Sequence, residues 1–307
     1  MAASPAAAPA SVGRLAKSAL VLAGVLVLVL VAFGGYLTLR ILTKKNDVEN
    51  VSPSSYLLST FQKLDFTDSH GGQHEGWLLY GLRGAPVVIL CPGYDSNRSE
   101  LLWLGTVLQQ NHFNVYLFNY TGPKAKESFS NLGIREASDT LAAIQEVTKQ
   151  VGVNPHRVGL YGVTTGAYAA LAAAEQDKRV SALVMDAPYE RPSQMFLAEL
   201  DQLLGSPGPV FRFLTLAEFH LFTLGAKAPP VVQNLSRLRG RPEFFIAPDD
   251  IAQLADATEA LYKKAPEPKR LLVVDHLTGT LVSDPEKKEY ESQVLNFFLQ
   301  HLPLRAD

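Results

Sequence analysis

Hydrophobic positions along this chain fall into three regimes. From Ala19 to Leu39 no charge interrupts an apolar run, ALVLAGVLVLVLVAFGGYLTL, which at about 1.5 Å per residue spans roughly 30 Å of hydrocarbon. From about residue 60 onward, short continuous apolar runs alternate with longer amphipathic ones. Pro86 to Leu90 (PVVIL) is the continuous apolar run of a strand buried on both faces, Val158 to Tyr161 reads as a short buried strand, and Asn114 to Asn119 (NVYLFN), Val180 to Asp186, Pro242 to Ala247 (PEFFIA) and Arg270 to Val274 (RLLVV) read as further strands. A segment beginning near Glu100, then Gly133 to Val151, Ala167 to Ala174, Leu254 to Lys264 and Tyr290 to Leu302 read as helices, the last with an apolar stripe of Val294, Phe297 and Phe298. Phe61 to Phe66 and Glu75 to Tyr80 flank an Asp68-Ser69-His70-Gly71-Gly72 turn and predict an antiparallel pair. Strand and helix alternating at intervals of a dozen or more residues predicts an α/β fold, a mostly parallel sheet with crossovers on both faces. The third regime, Ala187 to Arg241, is rich in Phe and Leu and reads as a helical insertion, either a lid over the strand ends or a packing layer.

The expected divisions are therefore a disordered Ala/Pro/Ser-rich segment 1–17, a transmembrane helix 18–42, a polar linker 43–60, and an α/β domain 61–307 with the insertion 187–241. The apolar run is longer than the 7 to 15 residues or so of a signal-peptide core, which favours a retained single-pass anchor over a cleaved leader. Arg14 and Lys17 stand before it, and Arg40, Lys44 and Lys45 after it. The positive-inside rule thus leans toward a cytoplasmic domain.

Composition narrows the partners. A net charge of -2 over 307 residues, without a basic block in the domain, argues against nucleic acid. The single cysteine, Cys91, excludes an internal disulfide and a thiolate metal cluster, and its surroundings favour a structural role over a nucleophilic one. No metal or other cofactor is expected. The aromatic insertion points to an apolar occupant, lipid-like, peptide or other small molecule, or to a protein partner.

The candidate chemistry centres on Arg157 to Ala172, RVGLYGVTTGAYAALA. A strand runs into a small-residue helix through Gly162-Val163-Thr164-Thr165-Gly166, the spacing of a nucleophile elbow, G-x-S-x-G, with Thr164 at the serine position. On this motif the chain resembles the α/β-hydrolase superfamily over most of residues 60 to 302. Leu90-Cys91-Pro92-Gly93-Tyr94 resembles its oxyanion loop. Asn119-Tyr120-Thr121-Gly122 and Gly133-Ile134-Arg135-Glu136-Ala137-Ser138-Asp139 are similar to the D-Y-R-G and G-x-x-E-x-x-D segments of its serine-aminopeptidase-like and prolyl-oligopeptidase-like branches.

The resemblance implies a hydroxyl nucleophile at Thr164 and an oxyanion hole from the backbone amides of Tyr94 and Thr165. It implies an acid at Asp250, with Asp249 as reserve, though an N-cap or a plain turn would explain the same aspartates. It places the base at position 278, where the sequence has Thr278; His276 stands two residues earlier. A β-branched residue is ill suited to the elbow's positive φ, at about 1 to 3 kcal/mol, and a threonine hydroxyl cannot replace an imidazole as general base. Two expectations follow: a membrane-anchored hydrolase-fold protein with impaired catalysis and a retained ligand- or partner-binding pocket, or an active esterase, thioesterase or peptidase using Thr164, His276 and Asp250.

Overall fold

A computed structural model describes residues 10–45, 49, 51–56, 61–120, 122, 127–224, 233–275 and 284–304. The chain opens with helix α1 (Ala10–Leu42), followed by β1 (Thr43–Lys45), β2 (Phe61–Lys63), β3 (Phe66–Thr67), β4 (Gln73–His74), β5 (Gly76–Leu79) and β6 (Ala85–Cys91). Next come α2 (Leu102–Gln110), β7 (Asn114–Phe118), β8 (Glu127–Phe129), α3 (Ile134–Val147), β9 (Val153–Val163), α4 (Thr165–Ala174) and β10 (Val180–Asp186). Helices α5 (Pro192–Leu204) and α6 (Pro209–Phe222) precede β11 (Glu243–Pro248), α7 (Ala252–Lys264), β12 (Lys269–Val274) and α8 (Asp284–His301).

Eight strands form one sheet in the order β12-β11-β10-β9-β6-β7-β5-β2. The six from β12 to β7 run parallel, and β5 and β2 continue antiparallel at one edge. Alternate residues of each strand feed two cores. In β6, Val87, Ile89 and Cys91 join one cluster with α3, α4, α7 and the end of α1, while Val88 and Leu90 join the other with α2 and α8. Burial on both faces is why the run PVVIL carries no polar residue.

The mostly parallel fold predicted from the pattern is present, with local corrections. Residues 10–17, expected to be disordered, continue α1, because Ala, Leu, Lys and Arg are good helix formers next to an established helix. The stretch taken as linker contains β1, which pairs with β8. The first antiparallel pair forms as β2 with β5, but its turn is a separate two-residue hairpin, β3 with β4. Asp68 drives that break: its Oδ1 accepts the amides of His70 and Gly72 at 2.7 and 2.8 Å.

The segment 187–241 does not pack as one unit. Helix α5 leans on α7 and α6, and α6 packs along α1. In α1 the exposed apolar stretch ends at Phe33; beyond it Leu37, Thr38, Ile41 and Leu42 are buried in the domain. Among the described residues, one helix, Ala16–Leu42, is long and apolar enough to cross a membrane.

Candidate functional site

Strand β9 enters α4 through one residue. Thr164 holds φ 45° and ψ −107°, a region that costs a non-glycine residue of order 1 to 3 kcal/mol. Its neighbours hold it there. The Thr164 N–H donates to Asp186 O at 2.8 Å, and Thr164 O accepts the Tyr168 N–H at 3.0 Å. The Asp186 carboxylate is itself anchored by Tyr290 Oη at 2.8 Å, and Tyr290 meets Tyr161 at 2.9 Å. Two glycines permit the tight passage: a Cβ on Gly162 would lie 2.3 Å from Gly166 O, and one on Gly166 2.3 Å from Cys91 O.

The loop after β6 comes up beside this turn. The Tyr94 N–H donates to Thr164 Oγ1 at 2.9 Å, and Tyr94 Oη donates to Ile41 O at 2.8 Å, tying the loop to the last turn of α1. Burial, with the Glu199 and Asp95 carboxylates nearby, pushes the Tyr94 phenol well above its ordinary value. It therefore stays a neutral donor to that carbonyl.

Thr164 stands at the wall of a cavity of about 360 Å³. Gly93, Tyr94 and Asp95 line it from the β6 loop, Trp103 from α2, Met195, Glu199 and Gln202 from α5, and Asp250, Ile251 and Leu254 from the start of α7. Asp95, Glu100, Glu199 and Asp250 place carboxylates around it, and no Lys or Arg lines it among the described residues. The chamber is lined in part by apolar side chains and in part by carboxyl groups.

The structure thus brings together Thr164, Tyr94 and Asp250 on one cavity. Thr165, the first residue of α4, is fully buried beside them. Asp249, the reserve acid, donates its backbone N–H to Val274 O at 2.8 Å and is absent from the cavity lining. His276 and Thr278 lie outside the described residues. Among the described residues, no imidazole is hydrogen-bonded to the Thr164 hydroxyl. Sequence reasoning missed the α5 contribution, although Met195, Glu199 and Gln202 fall at the i, i+4, i+7 spacing of one helix face. Cys91 is fully buried, and desolvation pushes its thiol up to about 11, which fits a structural role.

The described residues that could offer ligands to a cation are Asp68, His74 and Asp139, whose ligand atoms lie within 4.8 Å of one another. Sequence inspection found no histidine pairing because α3 supplies Asp139 from far along the chain. His74 Nδ1 faces Asn119 O at 2.9 Å and Nε2 faces Asp68 Oδ2 at 3.1 Å. Burial alone would raise the Asp68 carboxyl, but the His74 hydrogen bond and the Gly72 and His70 amides outweigh it and hold it low. Arg135 reaches within 4.0 Å of the same Asp68 oxygen, so a cationic side chain already serves the cluster.

An open parallel sheet with a strained strand-to-helix hydroxyl above its carboxyl edge defines a hydrolase-type scaffold. The comparisons agree. No protein-family profile matches the chain. The uncharacterized protein YfhR of Escherichia coli O157:H7 is 26% identical over 252 residues, covering 78% of this chain and 81% of YfhR. The uncharacterized protein Rv2307c of Mycobacterium tuberculosis is 30% identical over 216 residues, 69% of this chain and 68% of that protein. The solved structure of the Pyrococcus furiosus esterase Pf2001 superposes with a TM-score of 0.67 at 18% identity, covering 85% of this chain and 98% of that one. The chain belongs to one family with Rv2307c and has the α/β-hydrolase fold.

Proposed function

We propose that this is a membrane-anchored α/β-hydrolase-fold protein that binds a ligand with an apolar portion in the Thr164 cavity, with hydrolysis impaired. The observation that carries the reading is the Tyr94 amide donating to Thr164 Oγ1 at 2.9 Å. In an acyl-transfer site that amide serves the oxyanion of the tetrahedral intermediate. Here it holds the ground-state hydroxyl, so attack would have to break the bond that positions the attacking oxygen. A γ-methyl on that side chain adds crowding, and misplacement of about 1 Å lowers a rate by about a hundredfold. Trp103, Met195, Ile251 and Leu254 supply apolar wall for such a ligand. Helix α1, exposed and apolar from Ala19 to Phe33, is the anchor.

A second reading is supported by Asp250, which lines the same cavity as Thr164, and by the neighbour Pf2001 being an esterase. Thr164 would attack an ester or thioester carbonyl, the amides of Tyr94 and Thr165 would take the developing oxyanion, His276 would accept the hydroxyl proton, and Asp250 would orient it. A fluorophosphonate probe separates the two. Under the first reading the native protein stays unlabelled, and Thr164→Ser combined with Thr278→His gains turnover of short neutral esters. Labelling of the native protein that is lost in Thr164→Ala establishes the second.

A further inference from the structure

Helix α6 is built inside out for a helix facing water. Its buried residues are Thr215, Glu218 and Phe219. Val210 (82% exposed), Phe213 (76%) and Leu221 (62%) point outward, and Leu224 just beyond the helix is 66% exposed. With the exposed Ala217 these positions fall at intervals of three or four and form one stripe. His220 is exposed in the last turn, and Arg212 is turned to Asp201. Stripes of this kind are rare on monomeric soluble surfaces.

What covers the stripe is indicated by its neighbour. Helix α6 packs along α1, and the Phe33 and Phe211 rings lie 6.0 Å apart. Gly34 lets the helices approach: a Cβ there would sit 2.6 Å from Glu218 Oε2. Phe33 and Gly34 also mark where α1 passes from exposed to packed. Counting from Ala19, where the uncharged run begins, the exposed stretch rises about 22 Å by that level, most of a hydrocarbon thickness of about 30 Å. The exposed Tyr36 sits one turn further on, where amphipathic aromatics favour the membrane–water boundary. The apolar surface of the span is therefore continuous with the α6 stripe at the depth where the span leaves the lipid.

We infer that α6 lies in the interfacial layer of the bilayer crossed by α1, with Val210, Phe213, Ala217 and Leu221 inserted among the acyl chains. The inference rests on the anchor reading above. Helix α5 connects this surface to the cavity, since it contacts both α1 and α6 and supplies Met195, Glu199 and Gln202 to the cavity lining. The Tyr94 loop is tied to Ile41 at the end of the span. Such a seating holds the Thr164 cavity close to the membrane surface.

The test uses the full chain in phosphatidylcholine vesicles, with an environment-sensitive fluorophore attached in separate proteins through Phe213→Cys, Leu22→Cys in the span, and Lys149→Cys in the exposed turn after α3; the buried Cys91 thiol is shielded from the reagent. Lipids spin-labelled near the headgroup should quench the label at 213 at least about twofold more than the label at 149, as for an interfacially seated helix. Lipids spin-labelled deep in the chain should quench the label at 22. Deep quenching at 22 with no excess at 213 overturns the inference and leaves the anchor standing. Absence of quenching at both overturns the anchor reading and the inference with it. Val210→Cys and Leu221→Cys give the same reading should Phe213→Cys fail to fold.

Discussion

Helices α4 and α6 are both rich in apolar residues and dispose of them in opposite ways. Nine residues of α4, from Thr165 to Ala174, are buried. Its alanines and Gly166 let the backbone lie close against β9 and β10, and they leave no room for larger side chains. Helix α6 has the larger residues, Val, Leu and Phe, and turns many of them outward while burying Thr215 and Glu218. Apolar content therefore does not say which medium a helix meets. Side-chain size and the position of the few polar residues do: small apolar residues with polar groups only at the ends make a core helix, and large apolar residues with an inward carboxyl make a face toward a non-aqueous phase.

The largest effect expected from this difference is at Gly166. A Cβ there would meet Cys91 O at 2.3 Å and Pro92 O at 2.5 Å. Both are backbone atoms of the strand end and loop that carry the Tyr94 amide, so neither can yield cheaply. Gly166→Ala should cost on the order of 3 kcal/mol, the upper end for overpacking, read as a lowered urea midpoint of the detergent-solubilised protein. A loss under about 0.5 kcal/mol, typical of a surface site, would mean that α4 is not seated as tightly as described.

How far the sequence discloses all this follows the same division. The strands are legible because a parallel sheet covered on both faces demands uninterrupted apolar runs, and PVVIL and the ALVM of VSALVMD meet that demand, whereas RLLVV forms the half-exposed edge strand β12, with Val273 56% exposed. The turn at Thr164 is legible because only glycine tolerates the contacts at 162 and 166. Asp250 lines the cavity and Asp249 does not, a difference set by the turn into α7. The α5 face of the cavity is not legible, since nothing in the chain says which side of α5 looks down. Nor is the Asp68, His74 and Asp139 cluster, because a hairpin and a distant helix meet only in three dimensions. The extension of α1 back to Ala10 escapes a composition argument, since Ala-rich sequence reads as unstructured alone but propagates a helix once one is nucleated.

A smaller effect sharpens the contrast through the carboxyl that follows α4. Glu175 caps the helix with 8% of its surface exposed, and desolvation, opposed by Asn234 and Arg237, pushes its carboxyl up to about 7. The folded chain therefore keeps this proton through a range in which the unfolded chain has lost it. Stability should fall as pH rises from about 4.5 to about 7 and then level, by at most about 1.4 kcal/mol per pH unit. Glu175→Gln should flatten that part of the slope. The fully buried Glu243, raised to about 8 by desolvation, leaves a residual slope extending to higher pH. An unchanged slope in Glu175→Gln, followed by urea unfolding between pH 5 and 8, would show that the α4 end is not desolvated.

The smallest effect belongs to α6. If its outward residues meet only detergent or lipid, none of them fills a cavity in the fold, and Phe213→Ser should shift the urea midpoint of the micelle-bound protein by no more than about 0.5 kcal/mol. A phenylalanine packed in a core behaves otherwise, losing about 3 to 5 kcal/mol on truncation, and Phe219 on the opposite face of the same helix, 3% exposed and stacked on Phe196 at 4.8 Å, is the internal control for that cost. The two substitutions share a helix and a residue type, so a difference between them isolates orientation from propensity. Equal losses at 213 and 219 would place both rings inside the protein and remove the contrast with α4, whereas a large loss at 219 alone keeps it.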